Sequence, residues 1–208
     1  MPTGPVVLVH GYLCPKWFML PLKWRLEVAG FDAHLVDLAP LALRDTRVLA
    51  RQLGENVDAI RARTGADQVT LVGVSLGGFV ALHYAKALGG ARHVRRIVAL
   101  GAPYRGTWFA ALGVPVLGTF SAPVWQSLPT SSFLADLREG GSPVPLTTMA
   151  IPGDIVAPPD RCRIDGAEEI LLRPTRFPAA HQWLVISARI TRRLVEVLEA
   201  DAAEALAS

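Results

Sequence analysis

Val69-Thr70-Leu71-Val72-Gly73-Val74-Ser75-Leu76-Gly77 decides the reading of this chain. The run from Val69 to Val74 predicts a buried strand, and a helix from Leu76 to about Leu88 follows it. Ser75 therefore stands where strand turns into helix. Glycines two residues before and two after it keep side chains out of a crowded turn. A serine hydroxyl becomes a competent nucleophile only when a neighbouring base removes its proton. A helix N-terminus adds backbone N–H groups beside developing negative charge. A plain tight strand–helix turn would use the same glycines, so the rest of the sequence has to supply the chemical partners.

Working outward, Val6 to Val9 is a short, continuously apolar run, three of its four residues β-branched, broken by His10-Gly11. It reads as a strand covered on both faces, as in a parallel sheet. A helix starting near Pro21 and ending at Gly30 fits the proline-first, glycine-last asymmetry, with Trp24 and Val28 facing inward. A second strand is expected from Ala33 to Leu38. Asp45 caps an amphipathic helix that carries Leu49, Leu53, Val57 and Ile60 on one face, with Gly65 beyond its end. Further strands are expected at Arg95 to Leu100, Leu146 to Ile151 and Glu169 to Leu172. A final helix begins near His181 and buries Trp183, Ile186, Ile190, Leu194 and Val197. Alternating strands and helices specify an α/β fold: a mostly parallel sheet of about six strands with helices on both faces. One stretch breaks the alternation. From Gly106 to Ala135 there is no charged residue, and Pro115, Pro123 and Pro129 each interrupt a helix, which excludes a simple membrane span. It reads as an apolar, irregular insertion at the end of the sheet.

Partners for Ser75 come from three places. His10-Gly11-Tyr12 follows the first strand, and acyl transfer needs two N–H donors fixed in advance around an oxyanion. Leu76 supplies one such donor and Tyr12 the other, while His10 reads as a structural histidine bonding the loop. An acid after a later strand, followed by a histidine, completes a nucleophile–acid–histidine order. Asp154 lies just past the strand ending near Ile151, where open α/β sheets build their sites, with Asp160 and Asp165 as competitors. His181 precedes the final helix, whereas His83 and His93 read as surface or packing residues. The apolar insertion offers Trp108, Phe109, Leu112, Val116, Leu117, Phe120 and Trp125 as a lid or acyl-binding wall, or simply as a satellite core.

Composition narrows the classes. The chain has 208 residues, 51% of them hydrophobic and 19% charged, which fits one domain with a substantial core. A net charge of +3 could suit nucleic acid, but the basic residues do not cluster. Arg92, Arg95 and Arg96 form one small group and Arg189, Arg192 and Arg193 another, both read as solvated faces. Two cysteines, Cys14 and Cys162, are too few for a disulfide scaffold and are expected as free thiols. No secretory signal is visible, so the expected location is the cytoplasm, unless a leader has been removed. No metal or organic cofactor is called for, and a monomer is assumed.

Taken together, Val-Leu-Val-His10-Gly11, Gly73-Val-Ser75-Leu-Gly77-Gly78, Gly101-Ala-Pro103-Tyr-Arg-Gly106-Thr107, Gly153-Asp154-Ile-Val156-Ala-Pro158 and His181 resemble the α/β-hydrolase family, in particular its small bacterial lipases and esterases. The resemblance spans almost the whole chain. It implies a minimal α/β-hydrolase domain over 1–208 that lacks the family's first two strands, with a lid-like cap at about 103–145. Tyr104 departs from the pattern, since such lipases often carry a histidine there. The implied activity is carboxylic-ester hydrolysis through an acyl-enzyme, on acyl-ester or lipid substrates, with transient contact to a lipid interface. A thioesterase, a polyester depolymerase and a cofactor-free haloperoxidase share the same residues. A non-catalytic lipid carrier is the alternative from a different class.

Overall fold

The computed structural model describes residues 4–38, 40–174 and 180–207. Six strands, β1 (Val6–Val9), β2 (Ala33–Val36), β3 (Val69–Val74), β4 (Val94–Leu100), β5 (Leu146–Ala150) and β6 (Glu168–Leu171), form one sheet in the order β2-β1-β3-β4-β5-β6. All of these pairings are parallel. The order reverses at β1 and β3, and the crevice outside the carboxyl ends of two such strands is where open α/β sheets bind ligands.

Successive side chains of the central strands point to opposite faces, so each strand feeds two cores. Val7, Val9, Leu71 and Ile97 pack on one side, beneath α2 (Thr46–Thr64) and α3 (Leu76–Ala87). Val6, Leu8, Val72 and Val98 pack on the other, beneath α1 (Leu20–Val28) and two C-terminal helices. Helix α2 is set by its ends. The Asp45 side chain accepts from the Arg47 N–H at 2.8 Å, and Gly65 takes φ 72° at the far end, as a left-handed cap requires.

Three expectations need correction. Trp24 and Val28 do not face inward but are 63% and 70% exposed. The buried residues are Met19, Leu22 and Leu26, spaced three and four apart, and a 3-10 turn at Lys16–Met19 leads into α1. With this stripe turned to the sheet, Trp24 and Val28 fall on the outer face. The expected single final helix is two, Ala180–Ile186 and Ala188–Ala207. Thr191 Oγ1 donates back to the Ser187 carbonyl at 3.2 Å, the bond by which threonine bends helices. Arg96 is not part of a solvated face. It is largely buried and ion-pairs with Asp201 at 3.0 Å and Glu168 at 3.6 Å.

The apolar insertion is more regular than its prolines suggest. A 3-10 turn at Trp108–Gly113 runs into α4 (Val114–Leu117), followed by α5 (Ala122–Gln126) and α6 (Ser132–Arg138). Pro115 and Pro123 occupy the first turns of α4 and α5. A missing N–H is harmless there, so these prolines begin short helices rather than break a long one. The two C-terminal helices are α7 (Ala180–Ile186) and α8 (Ala188–Ala207). None of the described helices is long and apolar enough to cross a membrane.

Candidate active site

Ser75 sits between β3 and α3 with φ 54° and ψ −120°, a conformation that costs a non-glycine residue on the order of 1–3 kcal/mol. Its surroundings hold it there. The Ser75 N–H donates to the Leu100 carbonyl at 2.9 Å, and its own carbonyl accepts from the Gly78 N–H at 2.9 Å. The flanking glycines serve close approach rather than unusual φ. A Cβ at Gly73 would lie 2.6 Å from the backbone of Gly77 and Gly78, and one at Gly77 would lie 2.2 Å from the Val9 carbonyl oxygen.

Asp154 and His181 meet. His181 Nδ1 is 2.7 Å from Asp154 Oδ2, while Asp154 Oδ1 accepts from the Val156 and Ala157 N–H groups at 2.9 and 3.0 Å. Burial by itself would raise the Asp154 carboxyl. The hydrogen bond and charge of His181, with the two backbone donors, overcome this and hold it below the usual carboxylate range. Asp154 is thus an anion at neutral pH, so the bonded Nδ1 carries a proton, which in the neutral ring leaves the lone pair on Nε2. The imidazole lies beside Gly101, where a Cβ would run into Leu184 at 2.4 Å. Of the competing acids, Asp160 is exposed beside Arg161 and Asp165 is also exposed.

The loop after β1 reaches the same place. A Cβ on Gly11 would come within 3.2 Å of the Ser75 Cβ and 3.1 Å of the Val74 carbonyl oxygen, so a side chain there would push the loop back from the serine. His10 is buried. Its Nε2 accepts from the Leu38 N–H at 2.9 Å, and its Nδ1 donates to the Gly11 carbonyl at 2.9 Å. Both nitrogens are then satisfied only by a neutral ring, and burial, outweighing the Gly11 bond and Asp37, depresses its pKa. Asp37, 3.9 Å from Nε2, does not make it an ion pair, because the Leu38 N–H already occupies that nitrogen. His10 thereby clamps the Gly11 carbonyl. The Tyr12 N–H belongs to the same rigid peptide plane, so its direction is fixed as well. Leu76 is the first residue of α3, where N–H groups lack intrahelical acceptors.

Ser75 and His181 both line a cavity of about 530 Å³, with Tyr12 and Leu76 in its wall. A smaller cavity of about 230 Å³ shares Tyr12, Leu13, Ser75 and His181 with it and adds Cys14, Phe18 and Val185. Ser75 stands at the junction of the two.

A model of the alpha/beta hydrolase fold matches residues 4–125, more than half of the chain. The chain belongs to the α/β-hydrolase family. No curated protein sequence matches it. Among solved structures it is similar to the mature form of Bacillus licheniformis lipase BlEst2, with 20% identity, a TM-score of 0.76, and 95% of this chain and 92% of that one covered. It is similar to Aspergillus fumigatus lipase B at 20% identity and TM-score 0.77, covering 95% of this chain and 52% of the longer one. A monoacylglycerol lipase from Paleococcus ferrophilus shares 15% identity at TM-score 0.63, with 95% and 96% covered. Likeness at these identities speaks for the fold.

Within this α/β hydrolase the seven apolar residues singled out in the insertion divide. Phe109, Leu112 and Leu117 line the larger cavity. Trp108, Val116, Phe120 and Trp125 do not, and are between 50% and 70% exposed. Within the short turns and helices at Trp108–Gly113, Val114–Leu117 and Ala122–Gln126, only one side of each piece can face the cavity, and Phe120 lies between helices. Lining residues that the sequence left unmarked include Phe79, Pro123, Val124, Val156 and Gln182. Gln182 follows His181 directly, and Pro123 and Val124 fall within the uncharged stretch, so proximity to the motifs was the available signal. Tyr104, the departure from the family pattern, is fully buried and donates to the Gly78 carbonyl at 3.2 Å, beneath α3 and away from the cavity lining. Both cysteines are free thiols.

Proposed function

We propose that this α/β hydrolase is a serine carboxylic-ester hydrolase of the lipase/esterase type, with Ser75 as nucleophile, His181 as general base and Asp154 as the group that orients it. The observation that carries the reading is the 2.7 Å bond from His181 Nδ1 to a buried Asp154 carboxylate, on a histidine that shares a cavity wall with Ser75. His181 Nε2 takes the proton of Ser75 Oγ as that oxygen attacks the ester carbonyl, and the Tyr12 and Leu76 N–H groups receive the negative oxygen. The imidazolium then protonates the departing alkoxide, leaving an acyl-Ser75 ester. Water enters and gives a proton to His181 as its oxygen attacks the acyl carbon, and the imidazolium returns that proton to Ser75 Oγ as the acyl–oxygen bond breaks and the acid leaves. No cofactor enters this sequence. The larger cavity suits the acyl chain because Phe109, Leu112, Leu117 and Val124 wall it, and the smaller one suits the alcohol. Exposed Trp108, Val116 and Phe120 in the same insertion suit transient contact with a lipid surface.

The test is hydrolysis of p-nitrophenyl esters from acetate to palmitate, with Ser75→Ala beside wild type. Ser75-dependent turnover, peaking at one chain length, is expected. A well-folded wild type that leaves every oxygen ester and thioester intact would refute the proposal and favour a lipid carrier.

A further inference from the structure

The Tyr12 side chain does something its backbone role does not require. Its hydroxyl donates to Ser121 Oγ at 2.8 Å, across 109 residues of sequence, and Ser121 is only 1% exposed. Ser121 is the residue before α5, a position where serine normally caps its own helix. Here it makes no such bond. One of the two N–H groups it could reach belongs to Pro123, which has none. The hydroxyl is left for Tyr12. At the other end of α5, Gln126 Oε1 accepts from the Thr46 N–H at 2.9 Å and the Thr46 hydroxyl at 2.7 Å. So α5, whose Pro123 and Val124 wall the larger cavity, is fastened at one end to α2 and at the other to the loop after β1.

That loop is strained. Leu13, next to Tyr12, has φ 50°, as does Leu41, whose carbonyl accepts from the Leu13 N–H at 3.0 Å. Residues with side chains hold such angles only when their surroundings impose them. Of the bonds that impose them, those of His10 and Leu13 run to the segment after β2, and the Tyr12 hydroxyl alone among them runs to the cap.

We propose that the Tyr12 hydroxyl is a positioning group: its bond to Ser121 latches the acyl-cavity wall to the oxyanion donor, so that an acyl chain seated against α5 also sets the Tyr12 N–H. The proposal rests on the reading of that N–H as an oxyanion donor. A chain long enough to reach Pro123 and Val124 presses on α5, and the latch carries this to the peptide that holds the oxyanion. A short acyl group gains less from it. Chain-length preference is therefore expressed in the chemical step as well as in binding.

The test is kinetics on p-nitrophenyl acetate and octanoate for wild type, Tyr12→Phe, Ser121→Ala and the double variant, well below each melting temperature. Rates are normalised to sites titrated by a p-nitrophenyl phosphonate, so that unfolded protein does not count. On octanoate each single variant loses between about three- and tenfold in kcat with KM nearly unchanged, the size of one hydrogen bond. The double variant is no worse than the poorer single one, and losses on acetate are smaller. Additive losses, equal losses on both esters, or changes confined to KM would overturn the latch. Wild-type Ser75 left unlabelled by the phosphonate would instead overturn the hydrolase reading beneath it.

Discussion

Asp154→Asn tests the site most sharply, because the structure dictates which way the new amide must turn. In the carboxylate, Oδ1 receives two backbone N–H groups and Oδ2 faces His181 Nδ1. Asparagine has one oxygen and one NH₂ group. If the NH₂ took the Oδ1 position it would confront two donors, from Val156 and Ala157. The oxygen therefore stays there, and the NH₂ points at His181 Nδ1. That nitrogen becomes an acceptor, the ring proton moves to Nε2, and Nε2 can no longer take the proton of Ser75. The shape of the site is kept while the base is lost. The expected fall in kcat is about four decades, or about 5 kcal/mol of transition-state stabilisation. Stopped-flow and steady-state hydrolysis of a p-nitrophenyl ester read it, with circular dichroism confirming the fold. Asp160→Asn is the control, since that carboxylate is exposed beside Arg161. Asp154→Asn with kcat within tenfold of wild type, or a large loss in Asp160→Asn, would refute the reasoning.

The same carboxylate makes an acid-side prediction. Its folded pKa lies below its unfolded one, so the unfolded chain takes the proton first as pH falls. Its contribution to stability is complete above the ordinary carboxylate range and fades as pH drops through that range toward the lowered value. Urea titrations should show this slope in wild type and a shallower one in Asp154→Asn. His10→Phe strands the Leu38 N–H and frees the Gly11 carbonyl, costing about 2–4 kcal/mol in urea unfolding and lowering kcat more than it changes KM. Because burial lowers the His10 pKa, wild-type stability should also decline as pH falls below about 6.5, a slope that His10→Phe loses. Gly77→Ala drives a methyl to 2.2 Å from the Val9 oxygen, and a loss of at least about 3 kcal/mol, seen as a collapsed melting temperature or insoluble protein, is expected. Leu117→Ala removes three carbons, at most about 2.4 kcal/mol at about 0.8 kcal/mol each. Because Leu117 is half-buried, a loss of roughly ten- to sixtyfold in kcat/KM is expected on octanoate with acetate nearly unchanged, whereas Trp108→Ala should spare both as soluble substrates.

The sequence could speak clearly where one cause governs one residue. The strand at Val69–Val74 and the helix between Asp45 and Gly65 were legible because burial and capping act locally on named residues. The pairing of Asp154 with His181 was legible in chain order, although nothing in order alone separates Asp154 from Asp160. That distinction comes from the turn after β5, where Val156 and Ala157 aim their N–H groups at one carboxylate. Failures fell where several packings suit the same letters. In α1 two apolar stripes compete, Met19-Leu22-Leu26 and Trp24-Val28, and only the sheet decides which is buried. In the apolar insertion, helical pieces of four to six residues are too short for a periodic signal, so all seven apolar residues looked equal although three line the cavity.

Ser75 shows why the legible part and the illegible part belong together. Its strained backbone is unfavourable in isolation, and locally only the Gly78 N–H bond to its carbonyl supports it. The conformation persists because Leu100 accepts its N–H and because α3 passes so close to β1 that Gly77 has no room for a side chain. Those contacts come from β4 and β1, far away in the chain. The glycines that made the motif readable are thus the local trace of long-range packing, and the strain they permit lifts a hydroxyl into a cavity lined by His181. If that packing is what holds the serine in place, Gly73→Ala should impair Ser75 labelling by a phosphonate even in whatever fraction stays folded, because its methyl would push α3 away from β3. Normal labelling rates in the folded fraction would mean that the elbow does not depend on this contact.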